Sequence, residues 1–405
     1  MTKGGGNQYH GSLFETIRND FLDAKDYFAP VKPELRFNDW GWSFGGPIAI
    51  GRLKRSKFFF FAGQEWKRIH HFTSPSRQTL PTLAELKGDF SDRTTAIYYP
   101  GTKTPVPNKD LSGLMTPDGR AIMNVYAAMI KQASVFTDKP ISNNATYQAF
   151  NPFNWRQDIV RIDWRPADSH TIYFRYIHDN YNTIDPFGTF GGGNLPVSPT
   201  ARNRPGYGPQ LGHIWTINQR MINEAKINSS WNGQRTPLQG TAWQRSTYGF
   251  QFPRVFGGNG EYPNGMPDVT VSSFAGWNSA DHVYLASPTT DISLADNFTY
   301  IHSEHIIKGG VLIICNRKDQ NATSYYDGLV AFNPSGNTNT TSYSLVDAAL
   351  GQFQTYTEAG NDPTGFFRFS QYDAYVQDSW RVARNISIEV GLRYSHYIPT
   401  YTVAK

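Results

Sequence analysis

Two runs decide the fold class: Tyr372-Asp373-Ala374-Tyr375-Val376-Gln377-Asp378-Ser379-Trp380 and Ile386-Ser387-Ile388-Glu389-Val390-Gly391-Leu392-Arg393-Tyr394-Ser395. In the first, Tyr372, Ala374, Val376 and Trp380 fall on one face of an extended chain. In the second, Ile386, Ile388, Val390, Leu392 and Tyr394 alternate with Ser387, Glu389, Gly391, Arg393 and Ser395. A period of two kept over a whole run is a β-strand with one apolar and one polar face. The Ala383-Arg384-Asn385 turn between the runs makes them a hairpin.

Four more hairpins read the same way. Within Asp158 to Arg165, Val160, Ile162 and Trp164 alternate with Arg161, Asp163 and Arg165. The turn Pro166-Ala167-Asp168-Ser169 leads into Thr171 to Asp179, where Ile172, Phe174 and Tyr176 share a face. Another hairpin runs from Leu211 through Asn218-Gln219 to Trp231, setting Ala225, Ile227 and Trp231 against Glu224, Lys226 and Asn228. A further one spans Asp291 to Lys318 and turns at Ser303-Glu304. Near the start, Asn38 to Ile50 and Ser56 to Lys67 pair across Gly51-Arg52-Leu53-Lys54-Arg55. With residues 9 to 17 added, the pattern predicts about eleven strands.

Between the hairpins lie connectors rich in Gly, Pro, Asn, Ser and Thr, at roughly 69–155, 181–207, 233–288 and 319–365. Loops beyond about 12–15 residues are uncommon in compact domains unless they have a function. Tight turns at one rim and long loops at the other are what an outer-membrane barrel requires. Strands that cross hydrocarbon must also close into a barrel, because every backbone group needs a partner there. The expected fold is all-β: part of a large antiparallel up-and-down transmembrane β-barrel with long extracellular loops. An odd strand count cannot close such a barrel, so the chain is expected to be part of a longer protein. Inside the longest connector, Ala121 to Ile130 places Ile122, Val125, Tyr126, Met129 and Ile130 at helical spacing. A short helix is expected there, packing the loop onto itself or onto the barrel mouth.

Composition fits. Of 405 residues, 15% are aromatic and only 18% charged, against about 25% charge in an ordinary soluble domain. Aromatic girdles at the two membrane interfaces would absorb that excess. No run approaches the roughly 18 uncharged apolar residues of a membrane-crossing helix, and mean hydropathy is −0.51. A net charge of +5 without a long basic run gives nucleic-acid binding little support. The single cysteine, Cys315, excludes an internal disulfide framework and a cysteine zinc site. The rival class is a soluble all-β carbohydrate-binding or carbohydrate-active protein, which would show regular repeats and mixed connector lengths.

Several motifs in order carry a family resemblance. Thr2-Lys3-Gly4-Gly5-Gly6-Asn7-Gln8-Tyr9-His10-Gly11-Ser12-Leu13-Phe14-Glu15 with Arg18-Asn19-Asp20 resembles the plug–barrel junction of TonB-dependent outer-membrane transporters of the Oar-like group. Gly45-Gly46-Pro47-Ile48, Lys57 to Phe61, Gly88-Asp89-Phe90-Ser91, His305 to Gly310, Tyr375 to Trp380 and Gly391 to Tyr394 follow in family order. The resemblance implies an end of plug domain at 1–8 and the N-terminal portion of a barrel at 9–405, with a long loop at about 69–155 carrying the helix. It also implies a plug in the lumen, energy from the TonB complex, outer-membrane lipid as surroundings and an unknown extracellular substrate. No signal peptide, TonB box or terminal aromatic is present, which adds to the expectation of a longer protein.

Catalytic constellations are weak, and no enzymatic role, cofactor or metal is expected. His70-His71 point to opposite faces of a strand, and His302-Ser303-Glu304-His305 straddles a turn. Gly191-Gly192-Gly193 and Gly257-Gly258-Asn259-Gly260 lack the strand, lysine and helix of a phosphate loop and read as flexible loop tips. Carboxylates at Asp158, Asp163, Glu224, Asp296 and Glu389 are scattered over several strands and read as charges facing a wet lumen. The lumen-lining candidates are Arg161, Asp163, Arg165, Glu224, Lys226, Glu389 and Arg393, because their neighbours form the apolar face.

Overall fold

The computed structural model describes residues 2–25, 27, 32–48, 57–189, 193–257 and 260–404. Alternating sequence becomes one long sheet. Its strands are β1 (His10–Asn19), β2 (Leu35–Pro47), β3 (Phe58–His71), β4 (Phe153–Ala167), β5 (His170–Asp185), β6 (Thr200–Asn218), β7 (Met221–Arg235), β8 (Ala286–His302), β9 (His305–Asn321), β10 (Thr364–Ala383) and β11 (Ile386–Thr402). They pair antiparallel in chain order, so the sheet has eleven strands and no crossover. β1 and β11 end the order and do not pair with each other among the described residues. Tight turns lie at 168–169, 219–220, 303–304 and 384–385, all at one end, and the long connectors lie at the other. The Gly51 to Arg55 turn falls outside the described residues, as do Gly191, Gly192, Gly258 and Asn259.

Cross-strand register fixes the faces. Val160 stands opposite Tyr176, Ile162 opposite Phe174, and Trp164 opposite Ile172. Ile227 stands opposite Leu294, and Val376 opposite Leu392. Aromatic pairs bracket this apolar face. At the long-connector end Trp40 stacks on Trp66 and Tyr207 on Trp231; at the tight-turn end Phe58 stacks on Trp164, His170 on Trp215 and His305 on Trp380. Two carboxylates depart from expectation. Asp158 shares the face of Val160, and Asp296 that of Leu294, rather than facing the polar side. Each is compensated locally: Gln64 donates to Asp158 at 2.5 Å, and Asn223 donates to Asp296 at 2.9 Å. A polar group with a cross-strand partner avoids the cost of an unpaired one.

The long connectors are not simply polar. Every member of the buried hydrophobic cluster comes from them, including Leu80, Phe90, Tyr126, Tyr147, Trp277 and Phe332, and none from the eleven strands. They fold together into a cap. The longest carries α1 (Pro117–Gln132), wider than the expected 121–130 because Thr116 caps it by accepting the Gly119 N–H at 3.0 Å and Pro117 stands at its first turn. Asn124 Nδ2 donates to Tyr248 O at 3.1 Å and Tyr126 OH to Ala275 O at 2.8 Å, so α1 ties two connectors together. A second helix, α2 (Ser344–Leu350), packs on α1 so closely that a Cβ at Gly119 would lie 1.9 Å from Ala349 O. Asp268–Val271 pairs parallel with Leu329–Phe332, which pairs antiparallel with Thr355–Thr357, joining two connectors in one small sheet. Thr82-Leu83-Ala84-Glu85 forms a reciprocal capping box, and Arg93 grips the buried Glu85 at 2.6 and 2.9 Å. In the Gly88 to Ser91 motif, Gly88 ends that turn at φ 92° and Phe90 is fully buried.

Candidate functional site

A polar constellation lies on the face of the sheet opposite Val160 and Ile162, around β3 to β5. Arg161 reaches along its own strand to Asp163, with Nη2 at 2.7 Å from Oδ1 and Nε at 3.0 Å from both oxygens. Spacing of two on a strand makes this possible, since both side chains rise from the same face. The Arg161 guanidinium also lies 4.4 Å from the Tyr173 ring centre, and Arg165 lies 4.9 Å from that of Phe59. Asp163, Tyr173 and Phe59 are buried although they belong to the wall.

The N-terminal segment covers them. Arg161 Nη1 donates to Thr2 O at 3.1 Å, and Arg175 Nη1 donates to Thr2 Oγ1 at 3.1 Å. Gly5 approaches the wall so tightly that a Cβ there would meet Phe60 O at 2.5 Å and Phe59 Cβ at 2.8 Å. Any larger residue would push the segment away. A charge-assisted pair plus two bonds to the segment thus anchors residues 2–5 across β3, β4 and β5.

The other candidates do not join this patch. Lys226 pairs with Glu224 at 2.6 Å on β7, and Glu389 on β11 accepts from Ser379 Oγ at 3.3 Å. Arg393 on β11 pairs with Asp373 on β10. The seven candidates therefore fall into three separate groups, on β4, β7 and β11, divided by intervening strands. Sequence reasoning missed Tyr173, Arg175 and Asp373. The signal was present for all three: they alternate with the apolar residues that were read as strand faces.

A second constellation sits inside the cap. Arg254 Nη2 lies 2.6 Å from Asp327 Oδ1, and the Asp281 N–H donates to Asp327 Oδ2 at 3.4 Å. Asp281 Oδ1 accepts from Tyr262 N at 2.9 Å, while its Oδ2 is buried without a hydrogen-bond partner. Burial, and after it the neighbouring Asp281 carboxyl, push Asp327 up to about 8. Burial, opposed by the Tyr262 N–H bond, pushes Asp281 up to about 6. His282 is raised by its 2.5 Å bond to Asp268. Among the described residues no three His, Cys, Asp or Glu groups are placed to hold a metal ion. The pair is a proton-sensitive contact between two connectors.

One apolar and one polar face, aromatic belts at both ends and tight turns opposite long connectors define an outer-membrane β-barrel wall. The chain belongs to the outer membrane beta barrel domain family, which matches residues 1–405. That membership places it in the outer membrane and removes the soluble rival. No curated protein matches the sequence. Among solved structures it is similar to the outer membrane transporter YddB from Escherichia coli, with 10% identity and a TM-score of 0.47 over 90% of this chain and 34% of that one. It is similar to a mutant of the ferric enterobactin receptor PfeA from Pseudomonas aeruginosa, at 11% identity and 0.47 over 98% and 40%. It is also similar to the siderophore receptor PirA from Acinetobacter baumannii, at 12% and 0.45 over 98% and 40%. The chain spans well under half the length of these three proteins.

Proposed function

We propose that this chain is part of a TonB-dependent outer-membrane transporter of the Oar-like group, importing a substrate too large or too scarce for porins, such as an oligosaccharide, peptide or chelate. In this reading residues 1–8 end the plug, and residues 9–405 are the first portion of a barrel completed by strands beyond β11. Arg161, Asp163, Arg165, Glu224, Lys226, Glu389 and Arg393 line the lumen. The cap captures substrate, and TonB-driven movement of the plug admits it. The role is transport, without catalysis.

The observation that carries the reading is the junction segment lying on the polar face, held by Arg161 and Arg175 at Thr2. A plug entering the lumen has to leave its last residues there. The test is genetic. Deleting the gene and deleting tonB should abolish growth on the same nutrient from a panel of oligosaccharides, peptides and iron chelates. Growth that depends on this gene but is indifferent to TonB would overturn the reading.

A further inference from the structure

Six arginines share the sheet face of Val160 and Leu294: Arg36 on β2, Arg68 on β3, Arg156 on β4, Arg235 on β7, Arg317 on β9 and Arg368 on β10. All six lie at the long-connector end, at or beyond the level of the stacked pairs Trp40–Trp66 and Tyr207–Trp231. Among the described strand residues, no Lys or Arg stands on that face at the tight-turn end. The opposite face shows no such bias, with Lys308 and Arg381 near the tight turns and Lys318 near the long connectors. Arginine on a lipid-facing surface carries its charge to the interface along an apolar stem. A belt on one rim only therefore calls for anions in one leaflet only.

Pairing within the belt is uneven. Arg156 bonds Asp158 at 2.9 Å, Arg317 and Arg368 share Asp319 at 3.0 Å each, and Arg36 reaches Glu34 at 3.4 Å. Arg68 and Arg235 form no hydrogen bond or ion pair among the described residues. Arg68 also stands at a groove. Register sets Asn38 and Asn154 opposite it, so Arg36 and Arg156 are its diagonal neighbours on either side, within about 7–8 Å. One phosphate can reach all three. Beside Arg68 an open groove of about 670 Å³ runs down the same face, lined by Leu13, Glu15, Asn38, Trp40, Trp42 and Trp66. The Arg156 guanidinium leans over its edge, 5.8 Å from the Trp66 ring centre. The tryptophans offer flat apolar surface for a sugar ring or an acyl chain, and Asn38 and Glu15 offer acceptors for hydroxyls. Glu15 stands two strands from Arg68 and one step further from the rim, clear of the three arginines.

We propose that the outward rim of β2 to β4 binds a phosphorylated glycolipid of the extracellular leaflet. Its phosphate sits on Arg68 between Arg36 and Arg156, its sugar lies over Trp40 and Trp66, and an acyl chain follows Trp42 and Leu13 down the apolar face. The guanidinium fork matches phosphate oxygens two at a time, which accounts for a belt of arginine without lysine. The proposal rests on membership of the barrel family and on the long connectors being the extracellular loops. It does not depend on the transporter reading, so either can fail while the other stands.

The test is native mass spectrometry of the full-length protein in detergent, titrated with diphosphorylated lipid A, the same lipid dephosphorylated, phosphatidylglycerol and inorganic phosphate. Diphosphorylated lipid A should bind saturably and at least about tenfold more tightly than the dephosphorylated form, because charge-assisted bonds are lost with the phosphates. Arg68→Gln should weaken it by about tenfold, and Arg68→Gln with Arg156→Gln by more. Trp42→Ala should weaken both forms of the lipid alike. Lys318→Gln removes the same charge at the same rim from the opposite face, and should leave lipid binding unchanged. Altered gel migration on boiling verifies that each variant is folded. Equal binding of dephosphorylated lipid A or of phosphatidylglycerol, displacement of the lipid by an equal concentration of inorganic phosphate, unchanged binding by Arg68→Gln, or an equal loss in Lys318→Gln would each overturn the proposal.

Discussion

The barrel wall and the cap bury apolar side chains in opposite senses. In the wall, Val160, Ile162, Leu294 and Val390 are exposed on the apolar face, and the opposite face carries ion pairs. In the cap, Leu111, Val125, Trp277 and Leu345 are wholly enclosed. The wall has lipid as its apolar partner and needs no core of its own, whereas the cap stands in water and has to build one. Both regions use aromatic residues, so the aromatic excess has two sources. The girdles account for Trp40, Trp66, Trp164 and Trp380, but Phe90, Tyr126, Tyr147 and Trp277 belong to the cap. Trp231, read from the sequence as the end of a hairpin, is a wall residue stacked 4.8 Å from Tyr207.

If the two regions have separate cores, damage to one should spare the other. The largest effect is expected from Trp277→Ala, which should destabilise the cap by about 3–5 kcal/mol, the range for emptying a buried large aromatic site. Hydrogen exchange should rise throughout the cap while β4 to β9 stay protected. Equal loss of protection in the wall would show that the two fold as one unit.

Next in size are changes to the outward face. Val390→Arg or Ile388→Arg should cost about 2–4 kcal/mol near the bilayer midplane, while Glu389→Arg should be mild. Urea titration of the refolded full-length protein measures the ranking, and the reverse order would invert the faces.

The cap should also respond to pH where the wall does not. Asp281 and Asp327 hold protons more tightly folded than unfolded, at about 6 and about 8 against an ordinary value of 3.8. The contribution of this pair is therefore fully present below about pH 4 and is lost as pH rises through 6 towards 8. Asp281→Asn removes one titration and should flatten that slope in cap unfolding followed by hydrogen exchange between pH 5 and 8. An unchanged slope would assign the pH response to other groups.

The smallest effect is local. Thr116→Ala removes the α1 cap and should cost about 1 kcal/mol, seen as faster exchange at the helix start and little change at Phe90.

The wall was legible because its signal is local. Strand, face and turn can all be read within about ten consecutive residues, as at Tyr372 to Ser395, and the expected turns at Ser303-Glu304 and Ala383 to Asn385 lie where the chain reverses. Strand ends shifted, most at β6, which begins at Thr200 rather than near Leu211. The candidate site was half legible. Arg161 and Asp163 could be placed on the polar face from alternation, but the contact of Arg161 with Thr2 spans the length from the chain's start to β4. The Arg393 partner, Asp373, lies on the adjacent strand in a register that alternation alone does not set.

The cap was read only as far as one helix. Its contacts join Tyr126 to Ala275, Asn124 to Tyr248 and Asp281 to Asp327, between stretches that have no shared period. By itself, then, the sequence determined the strands, their two faces and the alternation of short and long connections, because each follows from side-chain periodicity along a few residues. The cap core and the buried carboxyl pair were decided by tertiary structure alone. Their energies arise where distant connectors meet, and no local pattern encodes which of them will do so.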